Sequence, residues 1–484
     1  MQKLKFLTIK SFFIILVFAF NACEAGAGRK SAAGEAPKNI IIFVSDGMGY
    51  NHLHAANYYE HGIAHAQTFQ QADWTSFAMA TYSSIVSTRD GDTIYADGYS
   101  PRKAASDPKY IMDYYTDSGA AATSLSTGMK SYNGSIGIGV KGDTLTHMSQ
   151  AAKALGKATG IVSSVPLSHA TPAGFVAHNR HRNNYAEIAR YLFFHTQTDV
   201  IMATGNPDFD EDGNPAQSNP RFVGGQQIWD LLKENDGRTI FETEDGTFRV
   251  QDANGNGQPD PWTLIQTRED FVNMASGSAP SRVLGVPQVH STLQQGRSKV
   301  EGHTMPFETP LTESVPTLEE MTRASLNVLS QNPRGFFVMI EGGAVDWASH
   351  DNNSARMIEE QIDFNNSVQA AIDWVETYSN WDETLIIVTS DHECGYLTGP
   401  GEADPIYGPV TNNGKGNLPG MQWHHGSHTN MLVPFFAKGP GADKFKMMAD
   451  TWDPIYGPFI QNTDIAKLVF LIWGKPEVDA HKLN

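Results

Sequence analysis

The sequence predicts an α/β protein: a mostly parallel central sheet flanked by helices on both faces, with loop-rich insertions. Three observations predict it. Wholly apolar runs such as Ile40 to Val44 show no polar alternation, as in strands buried on both faces. These runs alternate with stretches of helical periodicity, the pattern of parallel strands joined by crossover helices. Acids and imidazoles gather beside the runs, and open parallel sheets bind their ligands beyond the C-terminal ends of the strands.

In chain order, the run Lys38–Ser45 is the first buried strand, and it ends in a tight turn at Asp46 and Gly47. Residues 144–155 predict a helix, 157–165 a second strand, 185–194 a helix and 199–203 a third strand. Residues 206–310 break this rhythm. They are rich in Gly, Asn, Asp, Pro and Gln, with isolated helices such as 226–234, and predict an elaborated insertion. The rhythm resumes with a helix at 317–331, a strand at 335–340, a helix at 354–377 and a strand at 383–389. Residues 399–422 predict a second insertion, 431–437 a further strand and 463–473 a closing helix. There is no internal repeat. One discontinuous domain over 38–475, followed by a tail at 476–484, accounts for the pattern.

The chain has 484 residues and a net charge of −18 without a basic block, which excludes nucleic acid or an anionic membrane as its main partner. An anionic substrate would need a local cationic centre, and 17 His supply potential metal ligands. The basic residues Lys3 and Lys5 followed by an apolar stretch over 11–20 have the order of a secretory signal. Residues 1–23 are read as that signal, with Cys23 as a lipoprotein-type lipidation site, and 24–37 as a linker. The expected address is exported: periplasmic, or anchored to the outer membrane of a bacterium through the N-terminal lipid. Apart from Cys23 there is only Cys394, so no intrachain disulfide is expected in the mature protein.

The stretch Asp117-Ser118, followed by Gly119 to Ala122 and Thr123, places a hydroxyl at the start of a helix of small residues. Free N–H groups and the helix dipole favour an anion there. Most serines in such places only cap a helix, so the rest of the constellation decides. Asp46 ends the first strand, Glu341 ends the strand at 335–340, and Asp391 and His392 follow the strand at 383–389. Asp346 and His350 are four apart, on one face of a helical turn. His424, His425 and His428 precede the strand at 431–437. Carboxylate with imidazole is a zinc-type ligand set.

On these residues the chain resembles the alkaline phosphatases, over roughly 38–475. Asp117 to Thr123 satisfies the family's serine signature, with Tyr115 departing from the usual Ile or Val two places before the acid. The resemblance implies Ser118 as nucleophile and two zinc ions. Asp46, Asp391 and His392 would hold one of them, and Asp346, His350 and His428 the other. It implies a magnesium ion at Asp46, Thr171 and Glu341. It also implies a phosphate-binding arginine at Arg182, with Arg180 as the alternative. His169 and Trp347 occupy positions that vary in the family. His169 is counted with the metal site, and both would tune magnesium occupancy and the water around phosphate. The implied substrates are small phosphate monoesters, and the family is often dimeric.

Sulfatases and phosphodiesterases of the same superfamily are the alternatives, together with a non-catalytic, metal-stabilised export protein. Ser278-Ala279-Pro280-Ser281-Arg282 matches the short sulfatase string, but far from the first strand. Asp252, Asn254, Asn256 and Asp260 place oxygens at alternate positions, with Gly257 sixth, like a calcium loop. Asp208, Asp210 and Asp212 begin a second such pattern. Cys394 is read as buried packing.

Overall fold

The structure is a computed structural model and describes residues 36–89, 92–96, 98–401 and 408–474. The expected signal sequence, Cys23, nearly all of the 24–37 linker, the 476–484 tail and part of the 399–422 insertion lie outside the described residues.

Eleven strands form the central sheet. In chain order they are β1 (Asn39–Ser45), β2 (Thr75–Ala80), β3 (Ala158–Pro166), β4 (Val200–Thr204), β5 (Thr263–Ile265) and β6 (Val283–Gly285), then β7 (Phe336–Gly342), β8 (Thr384–Thr389), β9 (Val433–Lys438), β10 (Thr451–Asp453) and β11 (Gly457–Gln461). Their spatial order is β10-β11-β2-β9-β8-β1-β7-β3-β4-β6-β5. From β8 to β5 every neighbouring pair is parallel. β9 runs antiparallel to both β8 and β2. The residues that precede β9 therefore lie at the same edge as the C-terminal ends of the parallel strands. That direction was not legible in the sequence, and it brings His424 to Thr429 to the ligand-binding edge.

β1 is central because both its faces are apolar. Ile40, Ile42 and Val44 join the core beneath helices Ser118–Thr127, Tyr185–Phe194 and Thr463–Ile472. Ile41 and Phe43 join the opposite core, beneath helices Leu318–Leu329 and Ser354–Tyr378. The period-2 side-chain geometry of a strand thus feeds two helical layers.

Residues 206–310 contain loops as expected, but they also give the sheet β5 and β6 at its edge. Three-residue strands leave too short an apolar run to read. The helix expected over 144–155 begins only at Met148, because Thr144 bridges Ile138 in an extended segment.

Candidate active site

Ser118 opens a ten-residue helix, Ser118–Thr127, in which every residue is buried. Asp117 is its N-cap: Oδ1 accepts from the backbone N–H groups of Ala120 at 3.0 Å and Gly134 at 2.9 Å. The small residues are there for proximity. A Cβ on Gly174 of the neighbouring helix Ala170–Gly174 would come within 2.6 Å of Ala122. This packing fixes the Ser118 hydroxyl at the sheet edge. His392 Nε2 lies 3.2 Å from Ser118 Oγ, and Arg182 Nη1 lies 3.4 Å from it. The same guanidinium nitrogen donates to Asp117 Oδ2 at 2.9 Å. Of the two arginines that the resemblance offered, Arg182 is the one that reaches the Ser118 hydroxyl.

Around this hydroxyl the strand ends converge. Asp46, at the end of β1, turns in because Gly47 follows it at φ +81, where any Cβ would sit 2.7 Å from the Asp346 Cα. His392 Nε2 lies 3.1 Å from Asp391 Oδ2 and 3.5 Å from Asp46 Oδ1. A second set forms on helix Ala344–His350 and the strand start at His428. Asp346 lies 3.4 Å from both His350 Nε2 and His428 Nε2, and the two imidazole nitrogens are 3.1 Å apart. Each of these imidazoles is oriented by a carbonyl that takes its Nδ1 proton: Gly426 for His350 and Thr116 for His428, both at 2.9 Å. With Nδ1 so engaged, the neutral form of either ring offers Nε2 as its lone-pair donor.

These sets fit divalent metal ions. Zinc bonds of about 2.0–2.1 Å at tetrahedral angles separate ligand atoms by about 3.3 Å, and the spacings above run from 3.1 to 3.5 Å. Asp46 Oδ1, Asp346 Oδ1, Asp391 Oδ2 and Glu341 Oε1 are buried with no hydrogen-bond donor. Buried polar atoms are rarely left so. A third group lies beside the first: Thr171 Oγ1 donates to Asp46 Oδ2 at 3.5 Å, and Glu341 accepts from Ser163. His169 is buried nearby, its ring 5.5 Å from that of Trp347, and its Nδ1 has no partner. Ser118, Arg182, His169, Trp347, His350 and His428 share one cleft of about 580 Å³.

Known proteins match this chain. A family model described as alkaline phosphatase matches residues 37–431. The chain belongs to the alkaline phosphatase family. Alkaline phosphatase of Escherichia coli K12 is 28% identical over 445 residues, covering 90% of this chain and 88% of that protein. Alkaline phosphatase 3 of Bacillus subtilis is 27% identical over 402 residues, covering 81% and 70%. Among solved structures, the alkaline phosphatase of Thermus thermophilus superposes with a TM-score of 0.61 at 20% identity, covering 95% of this chain and 96% of that one. That of the Antarctic bacterium TAB5 gives 0.60 at 22%, covering 91% and 99%. The chain is therefore a phosphatase of the metal-binding alkaline phosphatase fold.

The electrostatics of this phosphatase are those of a cation site. Burial, and then the Asp391, Asp346 and Glu341 carboxylates, drive Asp46 well above the usual carboxylate range. Burial and Asp346 do the same to Asp391. Burial pushes Glu341 up to about 7, against hydrogen bonds from Ser163 and Thr171. Asp346 goes the other way: burial raises it, but His428, His350 and His392 together hold it far below its usual range. Acids packed this closely are ionised together only beside positive charge. Arg182 is raised: burial opposes its charge, and the Asp117 ion pair outweighs burial.

The other residues singled out in the sequence are placed as follows. Arg282 of the sulfatase-like string is buried at the start of β6 and donates to the carbonyls of Thr196, Thr198, Gln251 and Asp260. The start of a parallel strand is the edge opposite Ser118. The Asp252–Asp260 loop folds on itself: Asp252 accepts from the N–H groups of Gly255, Asn256 and Gly257, and Asp260 from those of Ala253 and Asn254. In the second pattern, Asp208 is bound to Lys233 and Trp229, and Asp212 to Ser298. Cys394 is buried, and its thiol is pushed well up by burial and by Asp346, although it lies within ligand distance of Asp346, His350 and His428. His424 turns away to Thr398 Oγ1 at 2.7 Å, leaving His428 in the cluster. Two members of the site gave no signal in the sequence: Ser163, mid-strand beside Ser164, and Gln295, in the 206–310 loops.

Proposed function

We propose that this enzyme hydrolyses phosphate monoesters through a phosphoserine on Ser118, with two zinc ions and one magnesium. The reading rests on one observation above all: a buried helix-start hydroxyl stands 3.2 Å from His392 and 3.4 Å from Arg182, between two clusters of acid and imidazole. Asp46, Asp391 and His392 would hold one zinc, and Asp346, His350 and His428 the other. Thr171 and Glu341 would join Asp46 at the magnesium, with His169 adjoining. Bound there, the cations supply Lewis acidity, lowering the hydroxyl's pKa and neutralising charge on the leaving oxygen.

The chain's own groups do the rest. Arg182 takes two phosphate oxygens in its planar fork, and Asp117 fixes that fork. Ser118 Oγ gives its proton to water and attacks phosphorus in line, and the bond to the alcohol oxygen breaks. The alcohol leaves with a proton from water. A second water then attacks the phosphoserine, and the Ser118 oxygen departs with a proton as phosphate is released.

Purified enzyme should hydrolyse p-nitrophenyl phosphate far faster than bis-p-nitrophenyl phosphate or p-nitrophenyl sulfate. A faster diester rate would make it a phosphodiesterase, and a faster sulfate rate a sulfatase. Ser118→Ala should lose turnover yet retain zinc, and metal loss in that variant would refute the ligand assignment. Metal analysis of the same sample tests a structural calcium at Asp252, Asn254, Asn256 and Asp260, for which the alternate spacing of oxygens is the support. The proposed N-terminus is a lipid-modified Cys23 on an exported protein, read by mass spectrometry of the membrane fraction. The proposed homodimer is read by light scattering.

A further inference from the structure

The loops at 206–310 send one side chain into the cleft of Ser118: Gln295. Its position is built. The flanking Gln294 is buried and clamped to Thr312 twice, donating to its carbonyl at 3.1 Å and accepting from its N–H at 2.9 Å. The buried Arg297 grips the turn from the other side, donating to Gln294 O at 2.9 Å, Thr309 O at 2.8 Å and Pro310 O at 2.8 Å, and pairing with Glu359. The segment read as a second calcium pattern braces the same turn, with Glu211 accepting from Ser291 N–H and Asp212 from Ser298 N–H. Between these anchors the Gln295 amide is half-buried and has no hydrogen-bond partner among the described residues. A fixed turn that presents a free amide to a reaction cleft is arranged for a ligand.

The chemistry of that ligand follows from the neighbours. Trp347, Asp351 and Ser427 line the same cleft. Asp351 is exposed and repels phosphate oxygens, but accepts from hydroxyls. Trp347, half-buried beside His169, adds aromatic surface to the cleft, and the C–H side of a sugar ring packs on such surface. Phosphate itself is served by Arg182. We infer that Gln295 is a specificity-determining residue that hydrogen-bonds hydroxyl groups on the alcohol portion of the substrate, so that sugar or polyol phosphates are the favoured monoesters. This rests on the monoesterase reading above.

The test compares wild type, Gln295→Ala and Gln295→Leu on glucose 6-phosphate, ribose 5-phosphate, glycerol 3-phosphate and phenyl phosphate. Leu keeps the bulk and removes the hydrogen bond. Both variants should lose about three- to tenfold in kcat/KM on at least one hydroxylated ester, mainly through KM, as expected for one neutral hydrogen bond. Phenyl phosphate should change by less than about twofold, with zinc content and Tm unchanged. Equal loss on all four esters would make Gln295 a structural or phosphate-facing residue and overturn the inference. So would no loss on any of them. A wild-type enzyme inactive on all four, yet active on a diester or sulfate, would instead overturn the monoesterase reading beneath it.

Discussion

On the proposed mechanism Asp117 joins helix stability to phosphate binding, and the two can be separated by substitution. Its Oδ1 accepts from Ala120 and Gly134, and its Oδ2 from Arg182. Asp117→Ala removes all three contacts. Loss of the cap costs about 0.5–2 kcal/mol, and an unsatisfied N–H at Gly134 costs about 1–3 kcal/mol. The total is about 2–5 kcal/mol. A chain of 484 residues has an unfolding entropy of about 1 kcal/mol/K, so Tm should fall by about 2–5 °C. Asp117→Asn keeps an oxygen for Ala120 and Gly134 and places an amide nitrogen against the Arg182 guanidinium. Its Tm should stay above that of the Ala variant by about those 2–5 °C, while the released arginine binds phosphate more weakly. Scanning calorimetry with saturating zinc and the inhibition constant of inorganic phosphate read the two effects. An Asn variant as unstable as the Ala variant, or unchanged phosphate inhibition in both, would refute this division of labour.

Three further outcomes follow from the proposed metal site. Burial pulls the His350 imidazole down, but the Asp346 hydrogen bond and charge reverse this and push it up to about 9. In metal-free protein His350 is therefore protonated at neutral pH. Metal must displace that proton, so zinc affinity at Asp346, His350 and His428 should rise with pH by up to about tenfold per unit and level off near 9; competition titrations with a chromophoric chelator measure this, and a flat profile from pH 6 to 9 would contradict it. Removing metal by chelation should abolish activity and lower Tm, because four buried carboxylates lose their counter-charge, and zinc should restore both; unchanged Tm on chelation would mean the acids need no cation. Cys394→Ala should keep full zinc content, and zinc loss in elemental analysis would make the thiol a ligand.

What the sequence revealed of the fold follows from run length and burial. β1, β3, β7 and β8 lie next to one another or to other strands on both sides, and every residue in them is buried, so apolar residues dominate them, with polar ones near the strand ends and Ser163 and Ser164 inside β3. β2 carries Thr75 and Ser76 at its more exposed start, and β11 begins at Gly457 and Pro458. Neither shows a run long enough to stand out. β5 and β6 are three residues each, in a segment dominated by turn formers. They acquire strand geometry only because β4 offers a free edge, with Val283 paired to Val200 and Thr263 to Val283. Such strands are set by tertiary pairing, and a local pattern cannot carry that information.

The site divides along the same line. Asp46, Glu341, Asp391 and His392 stand at the ends of legible strands, so strand position and residue type together marked them. His428 needed the direction of β9 as well. Without it, three imidazoles between 424 and 428 were equivalent, and only the fold turns His424 to Thr398 and His428 to Asp346. Ser163 and Gln295 mark the limit. One is a hydroxyl inside a buried strand whose role depends on β7 lying alongside with Glu341 in register opposite it. The other is a glutamine whose meaning depends on Gln294 and Arg297 holding a turn over the cleft. Residues that do chemistry must have particular elements, and elements are legible. Residues that support or select need only the right atom at the right place, and place is a property of the assembled chain.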